Sequence, residues 1–445
     1  MKVVYHTLGC KLNFAETSKL SFDLESIGYV TAKDGETADL IVVNTCAVTQ
    51  AAERKGRAVI NQLKRQHPNA KVVVTGCYSQ IKPDEVGHID GVDIVLGAQH
   101  KFDMASFVKM LNDEEPGTKI YHTERSKVDV FFPFCTAGCR TRYLLKVQDG
   151  CDYFCTYCTV PIARGKSRNA SVALTVEEAK KAAAEGAKEI VISGVNIGDF
   201  GKSTGEKFID LVRELDKVDG IERYRISSIE PNLLTDEIIE FCANSRSFMP
   251  HFHIPLQCGN DEILALMHRR YKRDVFAHKI AEIKKCMPDA FIGVDVIVGF
   301  NGETEEHFND SYEFLQSLDV TRLHVFPYSP RPNTAALSIK PYVQNGEKKR
   351  RTDILMDFSE KRLHEFMKNQ IGKKAKVLWE DTDSNVMHGF SENYIRVSAP
   401  YDASKINTIT DVILGIILLW KKKQKTLLKI LIFKHWKMLK DLKNP

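Results

Sequence analysis

The chain has little that would send it into or across a membrane. Its first residues, MKVVYHTLGCKLN, hold no long apolar stretch and no small-residue cleavage site, so secretion is not expected. The longest apolar run, Val412 to Trp420, is too short to span a bilayer as a helix, which predicts no membrane span. A dense paired cysteine framework is also missing. Eleven cysteines, an odd number in 445 residues, do not resemble a disulfide-stapled secreted domain, and a reducing cytoplasm is the expected setting. Only one Cys-x2-Cys pair is present, against the two Cys or Cys/His pairs of a usual zinc site. Nor is the chain globally basic. Its net charge is +5, but the stretch from Lys405 onward carries ten Lys and two Asp, which leaves the first 404 residues at −3. RNA contact must therefore come from local patches such as Lys348, Lys349, Arg350 and Arg351, or Arg269, Arg270, Lys272 and Arg273. On composition alone, both patches read as solvated helix faces.

What the chain does have is concentrated in DGCDYFCTYCTVPIARG, where Cys151, Cys155 and Cys158 form a Cys-x3-Cys-x2-Cys loop. Cubane iron-sulfur clusters normally take four thiolates. A loop of three either borrows a ligand from elsewhere or leaves one iron open to a substrate, and the open iron implies an enzyme.

Residues 1–112 read as strand-helix repeats, with strand-like runs KVVYHT, DLIVVNT, KVVVTG and VDIVLG, the pattern of a parallel α/β sheet. Cys10, Cys46 and Cys77 each fall just past the carboxyl end of a strand. Those ends share one edge in an open parallel sheet, so a second three-cysteine constellation is expected. Residues 113–140 suit a linker, and Cys135 and Cys139 within it read as incidental thiols. From Arg142 the rhythm resumes with RYLLKVQ, KEIVISG, RYRISS, HFHIPLQ, AFIGVDVIVGF and RLHVFPYS, which suits a partial (β/α) barrel whose loops at the strand ends carry the site. Gly194, Glu230 and Gln257 follow the second, third and fourth of these strands and are candidates to reach a cofactor. Gly194 serves equally as a tight turn, and Glu230 before Pro231 as a helix cap. A charged helix to about residue 370 is followed at 371–402 by the opening half of a small β-barrel, in which Trp379, Phe390, Tyr394 and Arg396 either face nucleic acid or fill the interior.

The cluster loop resembles the signature of radical S-adenosylmethionine (SAM) enzymes. The resemblance implies that SAM chelates the open iron and that an electron cleaves it to a 5′-deoxyadenosyl radical, with Tyr157 near the adenine. In order, TLGCKLN, NTCAVTQAAERKGR, VTGCYSQ, LKVQDGCDYFCTYCTVPIARGKSRN, HIPLQCGNDEIL, RRYKR, VDVIVGFNGETEE and FPYSPRP extend it to the radical-SAM methylthiotransferases, over nearly all of residues 1–402. It implies an α/β fold of three parts: an N-terminal parallel α/β domain (1–112), a radical-SAM partial (β/α) barrel with its following helix (141–370), and a C-terminal TRAM-like β-barrel, here incomplete (371–402). Two 4Fe-4S clusters are implied, an auxiliary one on Cys10, Cys46 and Cys77 and the SAM cluster on Cys151, Cys155 and Cys158. Tyr157, Gly194, Glu230 and Gln257 take the SAM contacts.

TLGCKLN, NTCAVT and KVQDGC look more like the branch that methylthiolates C2 of threonylcarbamoyladenosine, beside the tRNA anticodon, than like the isopentenyladenosine or ribosomal-protein branches. The implied partners are the tRNA anticodon stem-loop and a flavodoxin or ferredoxin-type electron donor; the sulfur donor is left open. A non-catalytic iron-sulfur protein that binds RNA or carries electrons is the alternative from another class, and SAM cleavage separates the two. Asn301 stands where the family usually has Pro, and Cys258 where Ser is common. The segment 403–445 departs further: it does not resemble final TRAM strands, and its Lys-rich apolar composition, with Trp420 and Trp436, suits either an amphipathic helix or a read-through from a shifted frame.

Overall fold

The computed structural model of the chain describes residues 1–111, 117–136, 141–380, 385–422 and 425–432, the last part from residue 416 by its backbone alone. Runs rich in Val and Ile, bounded by turn residues, form the first sheet: β1 (Lys2–Thr7), β2 (Val30–Thr31), β3 (Leu40–Thr45), β4 (Lys71–Gly76), β5 (Ile94–Leu96) and β6 (Lys119–Tyr121). Every pairing in it is parallel, in the order β2-β1-β3-β4-β5-β6. β3 is buried along its whole length, as a strand covered on both faces must be.

The segment expected to be a linker, 113–140, is more structured than its composition suggests. It supplies β6 to the edge of the first sheet and β7 (Phe134–Cys135) to the next, because strand edges recruit even short extended segments. Burial pushes the Cys135 thiol well up, as befits an inert core cysteine. Cys139 lies outside the described residues.

All six strands expected in the middle region form: β8 (Arg142–Lys146), β9 (Glu189–Ser193), β10 (Arg223–Ile226), β11 (His251–Gln257), β12 (Phe291–Val298) and β13 (Arg322–Pro327). They lie in two sheets, β10-β9-β8-β7 and β11-β12-β13, joined by isolated parallel bridges at Tyr224–Phe248 and Ser228–His253. The result is a curved, open barrel. Residues such as Ile190, Ile254, Ile292 and Val294 point outward into one continuous core beneath the helices. The long helix Asn345–Lys368 packs along β13, with Ser359 Oγ accepting from Leu323 N at 2.9 Å.

β14 (Lys374–Glu380), β15 (Val386–Ser391) and β16 (Arg396–Pro400) form the antiparallel half-barrel expected from the sequence. The segment after it corrects the sequence reading. Within 403–445 the described residues form no amphipathic helix; they form β17 (Ile409–Lys422) and β18 (Lys425–Ile432). β17 pairs antiparallel with β14, and β18 meets β16 at Val397–Ile430 and Ser398–Leu431, which closes the ring. The run ITDVIL is dense in β-branched residues, and the free edge of β14 offers it a ladder, so pairing overrides the helical reading. Three arginines lock this sheet to the amino ends of the barrel strands. Arg223 donates to Phe390 O and Lys376 O, Arg225 to Ser391 O and Glu392 O, and Arg142 to Glu380 Oε1 and the Tyr394 hydroxyl.

Candidate functional site

The loop holding Cys151, Cys155 and Cys158 leaves β8 and is closed at its base by Asp149 and Arg168, whose backbones exchange hydrogen bonds of 3.0 and 2.9 Å. Gly150 stands at φ +74°, and a Cβ there would run into the Lys166 carbonyl, so the turn into Cys151 admits only glycine. Thr156 pins the middle of the loop, donating to Met267 O and Leu266 O and accepting from Ala336 N. Cys158 N donates to Cys155 O at 2.9 Å. Burial pushes Cys151 to about 11 and Cys158 to about 12, and in each case a neighbouring thiol of the same loop adds to the rise. Arg269 opposes this at Cys155, reaching its Sγ at 3.2 Å.

Cys10, Cys46 and Cys77 come together from three separate strand ends. Cys10 caps the helix Lys11–Glu25, Cys46 directly follows β3, and Cys77 directly follows β4 and opens the helix Cys77–Ile81. Gly76, at φ +100°, presses against Thr45, so Cys77 enters the site only because its neighbour has no side chain. Burial raises Cys77 to about 11, and Cys46 and Cys10 add to that rise. Among the described residues no set of three or more His, Cys, Asp or Glu stands at metal-coordinating separations, so both triads are gathered without being drawn to ligand distance. Soft thiolates in threes, with backbone N–H groups around them, are the donor set an iron-sulfur cluster uses.

A buried charge network joins the two triads. Arg164, six residues past Cys158, donates to Glu16 Oε1 at 2.9 Å, to Asn13 Oδ1 at 2.6 Å and to Asp149 Oδ1 at 3.0 Å. Lys101 and Lys146 complete it, Lys146 reaching both Glu16 and Asp149. All of these side chains are almost fully withdrawn from water. Burial pushes the Glu16 and Asp149 carboxyls up, yet the cations around them hold both well below the carboxylate range. Arg164 and Glu16 were not visible as site residues in the sequence. The signal that points to them is a lone charge in the otherwise apolar run VPIAR and another in a helix that should bury that face.

The remaining candidates fall around the carboxyl ends of the barrel strands. Gln257 sits at φ +66°, with its Oε1 buried and unpartnered among the described residues, an orphan that a cofactor's polar group would satisfy. The Glu230 carboxylate pairs with Arg269, which also comes within 3.5 Å of the Tyr157 hydroxyl. Glu230 is therefore more than a cap, and burial raises its pKa despite the partner. The Tyr157 ring meets Phe300 edge-on at 6.2 Å. Gly194 is not a left-handed turn. A Cβ there would press on Gln148, whose Oε1 accepts from Val195 N and Asn196 N and so ties the exit of β9 to the cluster loop.

Arg269 corrects the reading of its patch as a solvated face, since it is buried against Cys155 and Glu230. In the other patch Lys349 and Arg350 are exposed and paired with Asp353, Glu305 and Glu347, while Lys348 and Arg351 are buried. Neither departure disturbs the loop. Asn301 donates to Ala336 O, and Cys258 is buried against Ser311. Trp379 fills the C-terminal barrel and donates to Thr410 Oγ1, whereas Phe390, Tyr394 and Arg396 line a cavity facing the middle domain. A larger cavity of about 630 Å³ on the outer seam is edged by charges of both signs, away from both triads.

Comparison with known proteins gives a consistent picture. Residues 2–97 match the uncharacterized protein family UPF0004, and residues 145–315 match the radical SAM superfamily. Threonylcarbamoyladenosine tRNA methylthiotransferase MtaB of Bacillus subtilis is 36% identical over 403 residues, covering 89% of each chain. A tRNA-2-methylthio-N(6)-dimethylallyladenosine synthase of Bartonella tribocorum is 34% identical over 396 residues, covering 85% of this chain and 86% of its own. Among solved structures, the radical SAM methyltransferase TsrM of Kitasatospora setae aligns over 75% of this chain and 73% of its own with a TM-score of 0.57; at 15% identity it speaks for the fold alone.

Proposed function

The chain belongs to the radical-SAM methylthiotransferase family, on its threonylcarbamoyladenosine tRNA branch, and from that premise we propose that it adds a methylthio group to C2 of threonylcarbamoyladenosine beside the tRNA anticodon. The observation that carries this reading is the buried Arg164 network, which ties the loop that holds one cysteine triad to the helix that Cys10 of the other caps. We assign Cys151, Cys155 and Cys158 to the 4Fe-4S cluster that binds SAM, and Cys10, Cys46 and Cys77 to a second 4Fe-4S cluster. When bound, SAM and the clusters would supply the methyl group and the radical that takes hydrogen from C2.

The protein's own part is placement and exclusion of water. Gln257 offers an unsatisfied amide oxygen to SAM, while Arg269 holds Glu230 and the Cys155 sulfur in fixed relation. Tyr157 closes that wall with Phe300 behind it. The closed C-terminal sheet, clamped by Arg142, Arg223 and Arg225, sets its aromatic turn against the barrel, where a nucleic acid would approach. Electrons would come from a flavodoxin or ferredoxin-type donor. Among the described residues no helix is long and apolar enough to cross a membrane.

The test is anaerobic reconstitution with SAM, a low-potential reductant and tRNA from cells lacking the modification, followed by nucleoside mass spectrometry. The expected product is 2-methylthio-threonylcarbamoyladenosine. SAM cleavage without that nucleoside, or methylthiolation of the dimethylallyl nucleoside instead, overturns the assignment.

A further inference from the structure

The three parts of the chain meet around one cavity of about 420 Å³, within the range of about 300–1,000 Å³ that small-ligand sites occupy. Its floor follows from strand alternation. Phe252, Ile254, Ile292, Val294 and Leu323 point into the outer core, so His251, His253, Gly293, Arg322 and His324 face the barrel interior. Lys11, one residue past Cys10, reaches it from the N-terminal domain, and Arg396 reaches it from β16.

Among the described residues no carboxylate lines this space. The nearest acid on the strands, Asp295, is taken by His253 at 2.7 Å, and Glu360 approaches Arg322 only to 4.0 Å. Arg396 keeps a buried Nε without a partner among the described residues. Burial and the neighbouring His253 push the His324 imidazole down against Asp295, and both Arg322 and Lys11 add to the fall, so the two cations face the same part of the cavity. Phe291, Leu363, Met367 and Ile395 supply apolar wall beside them. The cavity therefore combines an arginine Nε without a partner among the described residues, a second arginine only loosely held by Glu360, and Lys11 with apolar and imidazole surface.

We propose that this cavity recognises the free carboxylate of the N6-threonylcarbamoyl substituent, with Arg322 and Arg396 as specificity-determining residues and Lys11 supporting them. The proposal rests on the function assigned above and names the part of the substrate that the same site reads. Guanidinium groups bind carboxylates in paired hydrogen bonds, and the unpartnered Arg396 Nε gains most from such a ligand, with the half-exposed Arg322 beside it. A phosphodiester is the other anion in the same RNA. It continues as chain on both sides and suits an open groove, whereas a terminal carboxylate enters a space walled by three domains. A dimethylallyl substituent has no charge and would leave the arginines unpaired, which is the penalty that makes such a site selective.

The experiment compares binding of three anticodon stem-loop RNAs, identical except that the target base is threonylcarbamoyladenosine, dimethylallyladenosine or plain adenosine, to the reconstituted protein and to its Arg322→Gln and Arg396→Gln variants. The wild type is expected to prefer the threonylcarbamoyl RNA. Each variant is expected to lose about tenfold to a hundredfold of affinity for that RNA alone, the value of a hydrogen bond to a charged group, and to bind plain RNA as before. Equal loss on all three RNAs assigns the arginines to phosphate and overturns the proposal, as does a wild type without preference. Iron content and circular dichroism report whether each variant is folded, and the two arginines lie in different domains, so one misfolded variant leaves the other to decide. Because binding is read without turnover, absence of methylthiolated product in the assay above, with the arginine-dependent preference intact, counts against the assigned reaction and not against this site.

Discussion

The two cysteine triads reach the same composition by opposite routes. Cys151, Cys155 and Cys158 lie on one loop whose shape is set by its own hydrogen bonds and by Gly150. Cys10, Cys46 and Cys77 lie far apart in sequence and are neighbours only because β1, β3 and β4 run parallel and end at one edge. The first triad needs a turn; the second needs a sheet. Their difference teaches that a local loop can keep its geometry while a site spread over three strands depends on the whole domain. Arg164 breaks the separation, since it hydrogen-bonds to the helix that Cys10 caps from a position just past the loop.

The largest effect comes from removing either triad. Replacing Cys151, Cys155 and Cys158 together by Ala is expected to abolish 5′-deoxyadenosine formation. Replacing Cys10, Cys46 and Cys77 should spare that cleavage and abolish methylthio transfer. Reconstituted wild type should hold about eight iron per chain and each triple variant about four. Methylthiolated nucleoside from the N-terminal variant would show that the two sites do not divide the work in this way.

Next in size is the bridge. Arg164→Ala leaves Glu16 and Asp149 short of a cation in a buried place, a change that costs about 3–5 kcal/mol in comparable settings. The urea midpoint of the cluster-free protein measures it. A loss below about 1 kcal/mol would mean that the triads are held independently, and the contrast between them would then be complete.

The smallest effect is a pH response. Because the folded-state pKa values of Glu16 and Asp149 lie below their unfolded values, the stability they confer is fully present above about pH 4.5 and is lost as pH falls toward the folded values. The cluster-free protein should therefore lose stability progressively below about pH 4.5, and Glu16→Gln should flatten that slope. An unchanged slope in the variant would place the acid sensitivity elsewhere.

Much of this was legible in the chain. The Val- and Ile-rich runs gave strands such as β3 and β4, because a strand covered on both faces must be apolar throughout. The spacing of Cys151, Cys155 and Cys158 named its chemistry, because three thiolates on one loop suit few ions. Even the second triad could be anticipated from the strand rhythm. Other features could not. Trp379 and Tyr394 are equally aromatic in the sequence, but one points into the barrel from β14 and the other, in the turn between β15 and β16 at φ +62°, faces a cavity, a choice fixed by where each falls in the sheet. Arg269 read as a surface charge because its neighbours are charged, although it is buried beside Cys155.

By itself, then, the sequence determined what depends on neighbours along the chain: the cluster loop with its glycine, the strands, and the family they spell. The tertiary structure alone decided what depends on distant groups sharing one volume. It turned the described part of the Lys-rich tail into strands, because the edge of β14 lacked a partner. It joined Arg164 to Glu16 across 148 positions, since buried charges persist only where opposite charges meet them. And it set Lys11, Arg322 and Arg396 around one cavity, where cations from three domains converge and no carboxylate lines the wall among the described residues.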